Sequence, residues 1–267
     1  MNCEDSDLAA GGLIMIPGSG QIVGGGKMGK IYLLNTANLG QEQKLDAGVV
    51  QRLFVEQGID SSQPYATSCT DEDSHGNPIV GGQTWYVGGT SDPNGDTSDG
   101  INSYEIFGTS AYFHGSIYLG VTPTSTTNAP GVVRRFTYTA GSTSATGTLA
   151  AEESTPLNIA QQQPENTRGT TPFISANGTT SGILWTIDQG QPLQSPQTTT
   201  NATLYAYDAT NLSNELYGSD VNSGDQPGYG IKFTSPIVAN GKVYISTGHD
   251  PVTASQPQGE IDVYGLK

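Results

Sequence analysis

Short alternations of hydrophobic and polar residues, separated by glycine-rich turns, run along most of the chain. The clearest one lies near the C-terminus, where an alternating stretch at 233–247 is interrupted by Asn240-Gly241. An Asn-Gly pair between two such runs is a strong signal for a two-residue β-hairpin. A loop and a third alternating stretch at 259–266 follow. The pattern predicts strand, turn, strand, loop and strand.

The same order of elements recurs three times upstream. Each copy begins with a run that ends in a glycine turn, and it continues through a second strand, a loop and a third strand. A fourth strand follows in three of the copies, at 49–56, 147–153 and 214–219. Equivalent positions in the third strands are held by four apolar anchors, Leu34, Phe136, Tyr207 and Tyr264.

Four repeats of this kind predict an all-β protein, a β-propeller with about four four-stranded antiparallel blades. The blades are predicted at 8–57, 104–154, 169–220 and 232–267, with a long insertion at 58–103. A β-sandwich is the alternative, but a sandwich does not require the same strand order four times. The 267 residues include 36 Gly and 15 Pro, which are unfavourable inside helices, so a single β domain fits the composition.

One stretch of the third copy carries a family resemblance. In 204–217, the third strand ends in Ala-Tyr-Asp and the next strand contains Glu-Leu-Tyr. This resembles the blade motif of quinoprotein-type (PQQ-like) propellers, in which an Ala-x-Asp turn precedes a strand that opens with Glu-Leu-Trp. Segments 5–8, 24–34 and 38–40 are similar to secreted bacterial PQQ-like repeat proteins. The resemblance implies PQQ-like blades in an exported bacterial protein, extracellular or periplasmic, of which this chain is an N-terminally truncated fragment.

The chain departs from the quinoprotein enzymes at positions that matter for their activity. Its sequence contains neither an adjacent cysteine pair nor a recognisable set of calcium and quinone ligands. We therefore do not expect PQQ as a cofactor. The favoured function is a non-catalytic ligand-binding or interaction module. A remnant of a PQQ-type oxidoreductase and a hydrolase are the alternatives.

The charge of the chain limits its partners. It has 10 Lys and Arg against 25 Asp and Glu, which gives a net charge of −15. An anionic surface repels phosphate backbones, so nucleic acid is not an expected partner. No run of 18 apolar residues occurs in the sequence, so no membrane-spanning helix is expected.

The two ends of the predicted blades differ in loop length. Connections between first and second strands are tight glycine turns, which predicts a minimal face at that end. Insertions fall at the opposite end, named here the mouth end, at 60–104, 122–131, 155–168, 188–203, 220–232 and 248–259. Long loops are uncommon unless they are functional or disordered. We therefore expect any site at the mouth end; tolerated surface drift is the alternative.

Basic residues are scarce, so their position at the mouth end is informative. The expected ligand-binding residues there are Lys27, Arg168, Lys232, Trp85, Asp188 and His249. Cations near one opening of an acidic protein favour a small anionic or polyhydroxylated ligand, such as a carbohydrate, or a protein partner. Ion pairing with the acidic loops is the alternative. Trp85 could stack on a sugar ring or anchor its loop in the core.

The long insertion contains a candidate calcium site. Oxygen-bearing side chains recur within one glycine-rich turn, at Asp92, Asn94, Asp96 and Asp99. Calcium takes six to eight oxygen ligands, which such turns supply. The EF-hand pattern is incomplete, because Thr97 stands where glycine is expected. A solvated acidic loop is the alternative.

His249 and Asp250 are the weak catalytic candidates. They follow Ser246-Thr-Gly at the mouth end of the last predicted blade. Catalytic triads are normally assembled from distant segments, and no Gly-x-Ser-x-Gly motif occurs in the sequence. The hydrolase alternative rests on these mouth-loop residues, and a backbone-bonded loop histidine is the simpler interpretation.

Two further expectations concern the chain as a whole. Cys3 and Cys69 both lie in mouth-end segments, which predicts a disulfide that closes a loop of about 66 residues. The last blade has three strands, so its final strand at 260–266 presents an open backbone edge. Folded proteins avoid such edges. We therefore expect either closure of four blades by 1–8, or self-association of two chains into a larger ring or into a homodimer through open blade edges.

Overall fold

The computed structural model describes residues 10–27, 29–39, 48–54, 67–70, 84–87, 104–123, 132–155, 169–189, 201–248 and 259–265. Within these ranges the protein is all-β, with one short 3-10 helix at Ser223–Asp225 and no α-helix. The same ranges hold no helix with the length and hydrophobicity that a membrane crossing requires.

Sixteen strands form four antiparallel sheets that follow one another along the chain, named here sheets 1 to 4. Sheet 1 contains β1 Ile14–Ile16, β2 Gln21–Gly25, β3 Lys30–Asn35 and β4 Gln51–Phe54. A separate hairpin contains β5 Thr67–Thr70 and β6 Thr84–Val87. Sheet 2 contains β7 Tyr104–Glu105, β8 Ala111–Phe113, β9 Ser116–Pro123, β10 Val132–Thr139 and β11 Thr148–Ser154.

The remaining strands repeat the same up-and-down order. Sheet 3 contains β12 Phe173–Asn177, β13 Thr180–Asp188, β14 Thr203–Asp208 and β15 Asn211–Gly218. Sheet 4 contains β16 Ile237–Ala239, β17 Lys242–Gly248 and β18 Gly259–Gly265. Each strand of sheets 1, 3 and 4 pairs with its neighbour in the sequence, as the repeat predicts.

The predicted Asn-Gly hairpin is confirmed. Val238 pairs with Val243 and Ala239 with Lys242, so Asn240 and Gly241 form the two-residue turn. Both turn residues have positive φ, 51° and 71°, the conformation that a type I′ turn requires. His114-Gly115 forms the equivalent turn in sheet 2 with φ values of 45° and 82°. Such turns match the twist of the flanking strands and fix their register.

The four sheets pack face to face in chain order. The inner strands β1, β8, β12 and β16 contact one another in succession, as do the outer strands β4, β11 and β15. Alternate residues of one strand therefore pack into two different hydrophobic cores. In β9, Ile117 and Leu119 pack toward sheet 1, whereas Tyr118 packs toward sheet 3. This is a propeller-like arrangement of stacked antiparallel sheets.

Buried apolar side chains fill each gap between neighbouring sheets. The gap between sheets 1 and 2 holds Ile16, Val23, Ile31, Leu33, Ile106, Ile117, Leu119, Val121, Phe136 and Leu149. The gap between sheets 2 and 3 holds Phe113, Tyr118, Val133, Leu184, Tyr205, Tyr207, Ala209 and Leu212. The gap between sheets 3 and 4 holds Ile187, Ala202, Leu204, Val243 and Ile245.

The structure adds three features to the predicted pattern. The short strand β7 extends sheet 2 by pairing with the end of β9. The insertion at 58–103 contains the hairpin β5–β6. The connections 36–50 and 140–147 leave their sheets at the tight-turn end, so that end is less minimal than the sequence indicates. The longest connection that the structure describes throughout, 219–236, is at the mouth end.

Candidate functional site

At the mouth end, the segments that lead into the inner strands pack directly on the backbone of the neighbouring sheets. The segment before β12 crosses β9 so closely that a Cβ on Gly120 would lie 1.8 Å from the carbonyl oxygen of Thr170. The segment before β16 crosses the end of β13 in the same way, because a Cβ on Gly230 would lie 1.5 Å from the carbonyl oxygen of Gln189. Glycine is required at both crossings, and the crossings fix the lead-in segments on the sheets.

Lys27 is in the turn between β2 and β3, at the mouth end of sheet 1. The turn is closed by a hydrogen bond from the Gly29 amide to the Gly26 carbonyl, and the same carbonyl accepts the Ile106 amide of sheet 2. The Lys27 Nζ lies 5.9 Å from the centre of the Phe107 ring. This distance is within the range of a cation–π interaction. Phe107 is 8% exposed, so this basic residue covers an aromatic one.

Lys232 is followed by the most unusual residue of the mouth end. Phe233 has a φ of 65° and is 64% exposed. A bulky residue rarely adopts positive φ, because its Cβ then crowds the backbone. An exposed aromatic ring also remains in contact with water. Phe233 therefore combines a strained backbone with an exposed ring, and Lys232 precedes it in the sequence.

The segment that presents Lys232 and Phe233 is firmly attached to the sheets. The Tyr229 amide and carbonyl both bond to the backbone of Gly248. The Tyr264 hydroxyl donates to the Asp225 carbonyl at 2.9 Å, and the Asn201 side-chain amide donates to the Pro227 carbonyl at 2.7 Å. These bonds attach the segment 219–236 to both neighbouring sheets and so hold the backbone that leads to Phe233.

Two carboxylates, those of Asp188 and Asp220, lie near the Tyr205 hydroxyl at the mouth end of sheet 3. The Tyr205 hydroxyl donates to Asp220 Oδ2 at 3.2 Å. Burial first, and the negative charges of Asp220 and Asp188 next, raise the pKa of the Tyr205 phenol above its ordinary value. The phenol therefore stays protonated and acts as a donor. Asp188 contributes negative charge to this cluster at the end of β13.

A second polar group holds sheet 4 to its lead-in segment. The Thr247 hydroxyl donates to Asp262 Oδ2 at 2.5 Å, and the Gly228 amide donates to the same oxygen at 3.3 Å. Glu260 Oε1 lies 3.4 Å from the Thr247 hydroxyl oxygen. Asp262 thus anchors the segment that carries Phe233. We interpret this group as structural support for the mouth end.

The structure places some of the sequence-predicted residues and leaves others outside its described ranges. Lys27, Lys232 and Asp188 lie at the mouth end. Trp85 and Cys69 are register partners across the hairpin β5–β6. The predicted residues outside the described ranges are Arg168, His249, Asp250, Asp92, Asn94, Asp96, Asp99 and Cys3. Where the chain is described, no three His, Cys, Asp or Glu residues are grouped as metal ligands.

Sequence reasoning missed the two phenylalanines beside the predicted cations. Phe107 and Phe233 each precede an inner strand by four residues, the first before Ala111 and the second before Ile237. The equivalent positions of the other two sheets hold Ala10 and Gly169, so the repeat itself gave no consistent signal for an aromatic residue here. The difference between a covered and an exposed ring arises only in the folded chain. Comparison of the chain with protein-family models and with curated proteins gives no match.

Proposed function

We propose that this chain is a non-catalytic ligand-binding module of an exported bacterial protein, with its site at the mouth end. The observation that carries the proposal is the exposed ring of Phe233, held at positive φ beside Lys232. The ligand class is a small anionic, polyhydroxylated molecule such as an acidic oligosaccharide. The aromatic face accepts the apolar face of a sugar ring, and the ammonium group attracts a carboxylate.

We also propose that sheets 1 to 4 are PQQ-like propeller blades. The succession of inner strands, the succession of outer strands and the three face-to-face cores support this interpretation. In such an assembly the connections at one end surround the same opening. Residues from different sheets, such as Lys27 and Lys232, then contribute to one ligand site.

The acidic groups near the site add selectivity. Asp188 and Asp220 lie close to the Tyr205 hydroxyl, and their charges repel an anionic ligand from the wall of sheet 3. The cationic side chains Lys27 and Lys232 attract it elsewhere on the mouth end. A ligand with hydroxyl groups and a carboxylate is complementary to both regions. Its hydroxyl groups donate hydrogen bonds to the aspartates, and its carboxylate is attracted by the lysines.

Calorimetric titration tests the proposal with an oligosaccharide of uronic acids and a neutral oligosaccharide of the same length. We expect the acidic probe to bind, and Phe233→Ala to weaken its binding at least tenfold. Leu39→Ala is the matched control, because Leu39 also has positive φ and is more than half exposed, but lies at the tight-turn end. Equal losses in both variants, or no binding of either probe, would contradict the proposal.

The contribution of charge needs a second pair of variants. Lys232→Ala removes a cation from the mouth end, and Lys242→Ala removes an exposed one from the tight-turn end of the same sheet. We expect only Lys232→Ala to weaken binding of the acidic probe, and salt to reduce the difference by screening. An equal effect of both variants would show that net charge alone attracts the probe.

A further inference from the structure

The two ends of the sheet stack expose apolar faces. On the outward face of sheet 4, Ile237, Ile261 and Val263 are each at least half exposed. On the outward face of sheet 1, Leu13 and Met15 are each more than 60% exposed. Because these side chains are in water, sheets 1 and 4 do not cover each other within the chain. Contiguous exposed apolar surface marks an interaction site more often than chance allows.

The outward face of sheet 4 can be compared with the equivalent faces of sheets 1, 2 and 3. The residue three positions before each apolar anchor is Ile31, Val133, Leu204 or Ile261. The first three are 0–1% exposed, and each packs against the sheet that follows its own. Ile261 is 69% exposed. Sheet 4 therefore carries the apolar half of an interface that the chain forms three times, and no further sheet covers it in the described part of the chain.

The face of sheet 1 is the opposite half of the same interface. Met15 pairs with Ile22 across β1 and β2, as Ile174 pairs with Leu184 and Val238 with Val243 in the later sheets. In those sheets the inner-strand residue packs against the core shared with the preceding sheet. Met15 is 67% exposed. Among the residues that the structure describes, no sheet therefore covers this face of sheet 1.

We propose that the partner of both faces is a second copy of this chain. Sheet 4 of one copy packs on sheet 1 of the other, and the reverse contact forms at the same time, so two copies close a ring of eight sheets. The internal interfaces always join a following face to a preceding face, so a sheet 4 fits a sheet 1 and does not fit another sheet 4. Two such contacts related by a two-fold axis leave neither face exposed.

This arrangement differs from pairing through open strand edges. The outward side chains of β17 and β18 lie on the sheet face, whereas the backbone groups of β18 lie along its edge. Face-to-face packing buries the exposed side chains of Ile261 and Val263, which edge pairing leaves in water. The inference does not rest on the proposed ligand, because it uses none of the mouth-end residues.

Light scattering coupled to size-exclusion chromatography tests the proposal on the full chain. We expect a mass of twice 27.8 kDa for the unaltered protein. Ile261→Asp and Met15→Lys each place a charge on one of the two faces, and each is expected to raise the dissociation constant at least a hundredfold. Val221→Asp is the matched control, because Val221 is 82% exposed but lies in the connection between sheets 3 and 4.

Mixing the two charged variants gives the decisive arm of the experiment. In a mixed dimer, one contact joins the new Asp face to the new Lys face, and the other contact is unaltered. We therefore expect the mixture to recover the double mass. A monomeric unaltered protein, or a dimer that both variants leave intact, would overturn the proposal. Failure of the mixture to recover would show a contact between like faces and would overturn it as well. Unchanged circular dichroism of each variant shows that the fold is retained.

Discussion

At the scale of single residues, the backbone of Phe233 separates a binding role from a structural one. Its φ of 65° costs free energy for any residue with a Cβ, and glycine alone adopts this conformation readily. A ring that stabilised the fold would be buried, yet this ring is mostly exposed. Neither the strained backbone nor the exposed ring stabilises the fold, and this combination supports the proposed binding role.

Substitution by glycine tests this argument. We expect Phe233→Gly to be more stable than Phe233→Ala by about 1 kcal/mol, because both remove the ring but only glycine relieves the strain. Both variants should lose binding of the acidic oligosaccharide to the same degree. Urea unfolding measures the stability difference. A Phe233→Gly variant that is less stable than the alanine variant would indicate that the backbone conformation here is not strained.

Tyr207 offers a second test at the residue scale. It is fully buried, and its hydroxyl has no hydrogen-bond partner in the described part of the chain. An unsatisfied buried hydroxyl is destabilising. We expect Tyr207→Phe to raise the free energy of unfolding by about 1 kcal/mol. Tyr118→Phe is the control that should lower it, since the Tyr118 hydroxyl donates to the Ala209 carbonyl at 2.6 Å. Equal effects of the two variants would contradict this assignment.

Four buried or partly buried tyrosines, Tyr118 and Tyr207 among them, make stability depend on alkaline pH. Burial raises the pKa of Tyr118, Tyr205, Tyr207 and Tyr264 above the ordinary value of 10.0. In the unfolded chain they ionise near pH 10, whereas in the folded chain they remain neutral. The unfolded state then binds fewer protons, so the free energy of unfolding falls as pH rises above 10. Urea midpoints between pH 8 and 11 should show this fall, and Tyr207→Phe should reduce its slope. A slope that does not change would contradict the argument.

At the scale of the elements, one arginine joins sheets 2 and 3. Arg135 of β10 forms ion pairs with Glu152 and Glu153 at 2.8 and 2.9 Å. Its other terminal nitrogen donates to the Thr210 carbonyl in the turn between β14 and β15, at 2.8 Å. The equivalent positions in sheets 1 and 3 hold the buried apolar residues Leu33 and Ala206. Sheets 2 and 3 are thus linked by a polar contact where the other gaps have an apolar one.

Removal of this guanidinium should loosen the contact between the two sheets. We expect Arg135→Met to lower the free energy of unfolding by about 2 kcal/mol, because it leaves two partly exposed carboxylates and a backbone carbonyl without their donor. Lys242→Met removes the same charge from an exposed position and should change stability by less than about 0.5 kcal/mol. Urea unfolding of both variants measures the difference. Equal stabilities would show that the apolar core alone holds these sheets together.

The strands also show which parts of the fold could be predicted from the sequence and which could not. The alternation of apolar residues and the glycine turns located the strands of sheets 1, 3 and 4 and four of the five strands of sheet 2, because both are local properties of the chain. The aspartate turn after β14 was equally local: Asp208 accepts hydrogen bonds from the Thr210 amide and hydroxyl. The strand β7 and the role of Arg135 depend on contacts between segments far apart in sequence. The exposure of Phe233 depends on such contacts too, and no local pattern encodes them.

At the scale of the whole molecule, the stack of sheets explains why one end carries the candidate site. Successive inner strands hold the lead-in segments side by side, and Gly120 allows one of them to cross the neighbouring sheet closely. Buried apolar side chains fill the gaps between the sheets and hold this frame together. The calcium site at 92–99, the disulfide between Cys3 and Cys69 and the catalytic role of His249 stay predictions, since their residues lie outside the described ranges or have no described side chain.

Amide chemical-shift mapping by NMR tests the central claim, that the mouth end binds ligand, most directly. During titration with the acidic oligosaccharide, the largest shifts should fall on residues 26–29, 105–110 and 228–234. The tight turns at 114–115, 178–179 and 240–241 lie at the other end of the same sheets and should not shift. Shifts concentrated at those turns, or spread evenly over both ends, would contradict the account.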